Sequence, residues 1–140
     1  MTINFYNDSE TKYLPKQSLI NAVALVVSNE IKKDCIINII ICSDEYIHQL
    51  NKQFLNHDYT TDVITFEIDN EPLEGEIYIS VDTAKKQSNE YKCSLKDELS
   101  RLCIHGVLHL AGYKDEKSSD KAIMTGLEDK YLKLMKDTTK

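Results

Sequence analysis

The segment from Cys35 to Cys42 places the strongest constraint on the fold of this chain. It reads CIINIIIC, so apolar and mostly β-branched side chains fall on both faces of an extended strand, interrupted only by Asn38. Strands that are apolar on both faces occur where other elements cover the sheet on both sides. We therefore predict a central strand in a sheet that carries helices.

Helical and strand patterns alternate along the rest of the chain. Pro15 stands where helices often begin, Ser43 and Ser94 are suited to cap the helices that follow them, and Gly112 is suited to end one. The predicted strands cover residues 3–6, 35–42, 64–68 and 77–81; the predicted helices follow Pro15, run from Ser43 to residues 56–58, and cover 82–91, 94–111 and about 119–135. These elements predict an α+β (mixed α/β) fold: a single domain of residues 1–140 with a small mixed β-sheet of about four strands, interleaved helices and a C-terminal helical cluster.

Composition excludes several classes of protein. A chain of 140 residues with 41% hydrophobic and 29% charged residues can form one self-sufficient core and is too apolar to be disordered. No C-x-x-C pair, secretory signal or apolar run of membrane-spanning length is present, so we expect reduced thiols, a cytoplasmic location and no membrane partner. The net charge of −6 argues at first sight against a nucleic-acid partner.

Two histidines lie in the most apolar predicted helix. His105 and His109 are four residues apart, so both imidazole rings project from one helical face into the expected interior. Burying two imidazoles without partners is costly, and a metal ion removes that cost because neutral imidazole is a common zinc ligand. The alternative is a pair of packed or surface histidines without a metal.

Asp115 follows Gly112 closely enough to return as a third ligand, which completes the pattern H-x3-H-x5-D. Three protein ligands with an open fourth position are typical of a catalytic zinc site. The predicted ligands are thus His105, His109 and Asp115; the reacting group is metal-bound water, and no side chain is assigned as catalytic.

Gly106 occupies the position at which H-E-x-x-H peptidases carry their general base. Its presence disfavours a peptidase and favours attack on a phosphodiester, a reaction that depends on the charge of the metal. A glycine within a helix usually has a structural cause, such as close approach of a substrate or of another backbone.

The residues from His105 to Tyr113 read HGVLHLAGY, which resembles the H-G-x-L-H-L-x-G-Y signature of the YbeY endoribonucleases, bacterial rRNA maturation factors. The similarity covers about residues 50–132 and includes Leu50-Asn51, Phe54, Asp58, Thr61-Asp62-Val63, Phe66 and Gly75-Glu76-Ile77. The resemblance implies a single-strand-specific, metal-dependent endoribonuclease that acts in ribosome biogenesis, notably in maturation of the 3′ end of 16S rRNA. It also implies one divalent metal ion, usually taken to be zinc, held by three histidines.

Two positions depart from that family pattern. The third family histidine falls on Asp115, whose carboxylate would make a bound water less acidic or shift the metal preference towards harder ions such as Mn²⁺. Leu55 occupies the position at which the family carries an arginine thought to contact the phosphate. Arg101 and Lys114 are the candidates to replace that cation, with a solvated surface charge as the alternative for each.

The resemblance implies single-stranded RNA, in particular rRNA, as the partner, together with the small ribosomal subunit or ribosome-associated proteins; DNA is not expected. The charge of −6 does not oppose this, because most of the acidic surplus lies in the first half of the chain and a divalent ion adds positive charge where a phosphate would sit. Two other functions stay open: a non-catalytic ribosome-associated protein with a structural metal, and a small metal-dependent peptidase.

Several further side chains are candidates for minor roles. The tyrosines at 59, 78 and 113 could stack on RNA bases, with half-buried packing as the alternative for each. His57 is most simply a surface histidine and reaches the site only if its loop folds over it. Asp62 is a candidate to orient a ligand or the loop.

Overall fold

The strands and helices follow one another along the chain in the order that the sequence predicts. The structure is a computed structural model that describes residues 1–138, so residues 139–140 of the predicted domain lie outside the described part. The strands are β1 (Thr2–Asn7), β2 (Cys35–Cys42), β3 (Val63–Asn70) and β4 (Leu73–Ser80), and the helices are α1 (Lys16–Glu30), α2 (Asp44–Leu55), α3 (Val81–Glu90), α4 (Leu95–Leu110) and α5 (Ser118–Thr138). Within residues 1–138, no helix combines the length and the apolar character that crossing a membrane requires.

The strands form one mixed sheet in the order β1-β2-β4-β3. β2 pairs in parallel with both β1 and β4, and β3 runs antiparallel to β4 at the edge. Ile37, Ile39 and Ile41 of β2 are fully buried in the main core together with residues of α1, α4 and α5, whereas Cys42 belongs to a smaller apolar cluster with residues of α2. The predicted α+β fold, with β2 as an interior strand, is confirmed.

Strand β4 differs at both ends from the predicted range 77–81. It begins at Leu73, because residues 73–75 pair in register with residues 35–37 of β2. Pairing with an interior strand outweighs the turn-like composition of this segment. At the other end, the Ser80 hydroxyl accepts a hydrogen bond of 3.2 Å from the Thr83 N–H, so Val81 begins α3 instead of ending a strand.

Helix α4 packs closely on strand β4, and this contact decides in which direction the histidine face of the helix points. A Cβ atom at Gly106 would lie 2.7 Å from Cγ2 of Ile77, so the helix approaches the sheet this closely only with glycine at that position. The close neighbour of Gly106 is the buried Ile77 side chain, which differs from the examples of a substrate or another backbone given above. With Gly106 turned to the sheet, His105 and His109 are left partly exposed, with 20% and 30% of their side-chain surface accessible.

Candidate metal centre

The two histidines of α4 meet through their Nε2 atoms. These atoms of His105 and His109 are 2.9 Å apart, and the rings are nearly perpendicular, with centroids 4.5 Å apart. The spacing of four residues places one ring above the other on the helix, as the sequence predicts.

Asp115 joins the pair after a sharp turn at the end of α4. Gly112 has φ +107°, in the left-handed region that favours glycine, and the Tyr113 N–H donates to the Leu108 carbonyl at 3.0 Å. The chain thereby reverses, and Oδ2 of Asp115 lies 3.3 Å from Nε2 of His105 and 3.4 Å from Nε2 of His109. One ligand atom from each residue lies within 4.8 Å of the others, so this group could hold a metal ion.

The opposite nitrogen of each ring faces a group that accepts a hydrogen. Nδ1 of His105 lies 2.8 Å from Oε2 of Glu128, and Nδ1 of His109 lies 3.1 Å from the carbonyl oxygen of Tyr113. With both hydrogens on Nδ1, the two Nε2 atoms present lone pairs to each other and to the Asp115 carboxylate. Three acceptors at this distance repel one another unless a cation lies between them, so the donor set fits a divalent ion.

The same arrangement alters the basicity of His105. Burial lowers its pKa, but the hydrogen bond to Glu128 and the charges of Glu128, Asp115 and Asp62 outweigh burial, so the pKa lies above its ordinary value. Both the raised pKa and the three converging acceptors reflect a site that favours positive charge.

Glu128 is the residue of this site that sequence reasoning missed. It lies on α5 with 7% of its surface exposed, and besides His105 it binds Nη1 of Arg101 at 2.9 Å. A signal was available, because Glu128 shares a helical stripe with Met124 and Tyr131, which are both buried. A carboxylate on a buried stripe needs a partner.

Arg101, a candidate phosphate ligand, is already engaged. Its Nη1 binds Glu128 at 2.9 Å and its Nη2 binds Asp129 at 2.7 Å. The guanidinium therefore acts as a bridge to α5, neither free to hold a phosphate nor fully solvated, since 31% of the side chain is exposed.

The ligand group lies where two clefts meet. The first, which we name the loop cleft, has a volume of about 380 Å³ and is lined by all three ligand residues and by Asn51, Leu55, His57, Tyr59 and residues 61–65. The second, which we name the helix cleft, measures about 570 Å³ and is lined by His105, Asp115 and residues that include Gln87, Tyr91, Arg101, Lys121 and Glu128. The loop after α2 does bring His57 to the site.

Other candidates lie beside the site without touching the ligand atoms. Leu55 lines the loop cleft, and Lys114 is exposed outside the residues that line either cleft. Oδ2 of Asp62 accepts a hydrogen bond of 3.3 Å from Gln87, and its carbonyl accepts one of 2.9 Å from the Ser80 N–H, so this residue ties the start of β3 to α3.

Comparison with known proteins decides the family. A family model described as Endoribonuclease YbeY matches residues 4–136. The chain belongs to the endoribonuclease YbeY family. The resemblance found in the sequence is thereby confirmed.

Curated YbeY relatives match the chain over nearly its whole length. An Endoribonuclease YbeY of Flavobacterium psychrophilum is 39% identical over 133 residues, covering 94% of this chain and 95% of that protein. Another, of Karelsulcia muelleri, is 40% identical over 135 residues, covering 96% of each. Among solved structures, the solution structure of TM1509 from Thermotoga maritima is similar, with a TM-score of 0.69, 29% identity, and coverage of 96% of this chain and 89% of that one. Its similarity agrees with the fold described above.

Proposed function

We propose that this protein is a metal-dependent endoribonuclease that hydrolyses phosphodiester bonds in single-stranded RNA, and that residues 1–140 form one such domain. The observation that carries the proposal is the convergence of His105, His109 and Asp115, whose ligand atoms lie within 4.8 Å of one another beside two clefts. Membership of the YbeY family supports RNA as the substrate.

The side chains around the site have separate tasks. His105, His109 and Asp115 would hold the ion, which when bound supplies a Lewis acid for a phosphoryl oxygen and lowers the pKa of a water ligand. Glu128 and the Tyr113 carbonyl hold the two imidazole rings in orientation through their Nδ1 atoms. The loop cleft and the helix cleft leave room for an RNA strand on either side of the ligands.

Zinc is the metal that we propose, with one ion per chain. Two imidazole nitrogens suit zinc, and a carboxylate oxygen is an accepted third ligand. Compared with a third histidine, Asp115 lowers the positive charge of the occupied site and improves the competition of harder ions such as Mn²⁺.

Lys121 is the cation that we propose for binding a phosphate oxygen of the RNA. It is exposed and lines the helix cleft beside His105 and Asp115, and among residues 1–138 it has no carboxylate partner. Arg101 is held by two carboxylates and Lys114 lies outside the clefts.

The Lys121→Ala variant should bind single-stranded RNA more weakly and with a salt dependence reduced by about one phosphate contact, whereas Lys133→Ala on the same helix should not. An unchanged salt dependence would exclude this role.

We further propose that the protein acts in the cytoplasm in rRNA processing, on the 3′ end of 16S rRNA during ribosome biogenesis, with the small ribosomal subunit or ribosome-associated proteins as partners. The family assignment supports rRNA processing. The net charge of −6 supports the need for partners, because an acidic protein gains little from non-specific attraction to RNA.

Cleavage assays on single-stranded RNA and on casein test the activity. We expect RNA to be cut and casein to stay intact, because Gly106 faces Ile77 and no glutamate base fits there. The His109→Ala variant should lose RNA cleavage while its circular dichroism stays native. A parent protein that binds metal but cuts no RNA would contradict the proposal and favour a structural metal. Analysis of the cleaved RNA ends distinguishes attack by water from attack by the RNA 2′-hydroxyl, since a 2′,3′-cyclic phosphate would exclude direct hydrolysis.

A further inference from the structure

Two exposed aromatic residues, His57 and Tyr59, line the loop cleft. His57 and Tyr59 are stacked, with centroids 5.2 Å apart and an interplanar angle of 12°, and the Tyr59 hydroxyl lies 3.1 Å from Nδ1 of His57. Tyr59 is 56% exposed and belongs to neither apolar cluster of the core. Packing of the core therefore does not explain the position of this ring.

The loop that carries the two rings is fixed by bonds to its neighbours. Asn51 is only 2% exposed, and its side-chain amide donates a hydrogen bond of 2.9 Å to the backbone carbonyl of Tyr59. The backbone carbonyl of Asn51 accepts a hydrogen bond of 3.1 Å from the His57 N–H. Asp58, between the rings, binds Nε2 of His48 at 2.8 Å. These contacts fix the backbone of the loop, and the two rings stack on each other, so binding of a base to the pair loses little conformational freedom.

The other two tyrosines considered for stacking are occupied elsewhere. The Tyr78 hydroxyl donates to Glu76 at 3.1 Å and its ring packs edge-on against Phe66, while the Tyr113 hydroxyl donates to Glu30 at 2.7 Å. Of the three tyrosines, Tyr59 is the one that is exposed, and it lines the cleft that also contains His105, His109 and Asp115.

We propose that the His57–Tyr59 pair is a nucleobase-stacking subsite for the nucleotide next to the scissile phosphate. One face of each ring is covered by its partner, and an RNA base stacks on the outer face of the pair. The inference rests on the proposed function, because it places an RNA strand at the ligand group. The loop cleft holds both the pair and the three ligands in about 380 Å³, which is within the size range of small-molecule sites.

Stacking of this kind has two consequences for substrate choice. A base paired in a duplex is covered on both faces, so the subsite accepts only a base that is free to unstack, which selects single strands. Every base has a π-face, so the subsite tolerates any sequence. Base stacking also allows an acidic protein to bind RNA without a broad basic surface.

Substitution of Tyr59 tests the subsite in the metal-loaded enzyme. For Tyr59→Leu we expect KM for single-stranded RNA to rise roughly 5- to 150-fold with a much smaller change in kcat, because a stacked base is lost while the ligands stay in place. Tyr59→Phe keeps the ring and should stay within about threefold of the parent. The matched control is Tyr13→Leu, since Tyr13 is 92% exposed and lines neither cleft.

A binding measurement separates this proposal from the proposed function. A short 2′-O-methyl oligouridine that carries one 2-aminopurine, checked on a gel to stay intact, should lose fluorescence on binding the parent and Tyr13→Leu but much less on binding Tyr59→Leu. If the parent cuts no RNA, the proposed function fails while this quench still tests the subsite. If Tyr59→Leu matches Tyr13→Leu in both KM and quench, with native circular dichroism, the subsite does not exist.

Discussion

Nδ1 of His105 on α4 lies 2.8 Å from Oε2 of Glu128 on α5, across 23 positions of sequence. The contact ties the C-terminal helix to the candidate metal centre and directs the free nitrogen of His105 towards His109 and Asp115. The other carboxylate oxygen of Glu128 accepts a hydrogen bond from Arg101, so one buried carboxylate contacts both His105 and Arg101, which lie on the same face of α4. The geometry of this candidate metal centre therefore depends on the packing of two helices as well as on the H-x3-H pattern.

The Glu128→Gln variant should bind zinc about 10- to 100-fold more weakly, because the neutral amide is a poorer acceptor for the His105 Nδ1 hydrogen. The measurement is a competition titration against a chromophoric chelator. Asp129→Asn is the control, since it weakens the other Arg101 interaction in the same way and leaves His105 untouched. Equal zinc affinities in the two variants would mean that Glu128 does not support the ligand.

Substitution of Asp115 should change the choice of metal. Asp115→His replaces a carboxylate oxygen by an imidazole, so we expect the ratio of zinc to manganese affinity to rise at least tenfold. Asp115→Ala leaves two protein ligands and should weaken binding of both metals. Parallel titrations with the two metals measure the ratio. If Asp115→Ala bound zinc as tightly as the parent, Asp115 would not be a ligand.

Gly106→Ala should destabilise the fold by about 1–2 kcal/mol, because overpacking against Ile77 exceeds the gain in helix propensity. Gly126→Ala is the matched control on α5, where a Cβ meets nothing within 4 Å, and it should raise the free energy of unfolding by up to about 1 kcal/mol. Urea denaturation measures both. Stabilisation by both substitutions would show that α4 does not need a glycine against β4.

Glu98 should make the protein less stable as the pH rises. Burial raises its pKa, the Arg101 charge lowers it, and the charges of Asp62 and Glu128 raise it, with a net increase. The folded state then binds the proton more tightly than the unfolded state, so the free energy of unfolding falls as pH rises from the ordinary glutamate pKa through the raised one. At neutral pH, the Glu98→Gln variant should therefore unfold at a higher urea concentration than the parent. This difference in urea concentration should become smaller as the pH falls. A parent that is the more stable of the two at neutral pH would refute this.

Local patterns in the sequence were sufficient to predict most of the fold and the three residues whose side chains the structure brings together, His105, His109 and Asp115. Strand β2 follows from its apolar run, and the end of α4 follows from Gly112, because these features act on residues close in sequence. The start of β4 at Leu73 was missed, since it depends on pairing with β2, a contact that single-segment propensity does not contain.

The surroundings of the site were harder to predict for the same reason. Arg101 lies on the face of His105 as expected, but its two carboxylate partners come from α5, and only the packing of the two helices brings them together. The approach of His57 and Tyr59 to the ligands likewise depends on how the loop after α2 folds against Asn51.

Metal content and cleavage of single-stranded RNA should be measured in the same preparation of the protein. Plasma-emission analysis of the purified protein should find about one divalent ion per chain, and removal by a chelator should abolish cleavage of single-stranded RNA. Addition of zinc or manganese should restore it to the parent and not to His109→Ala. A protein that contains no metal, or one that cuts RNA equally well after complete chelation, would show that His105, His109 and Asp115 do not hold a catalytic ion.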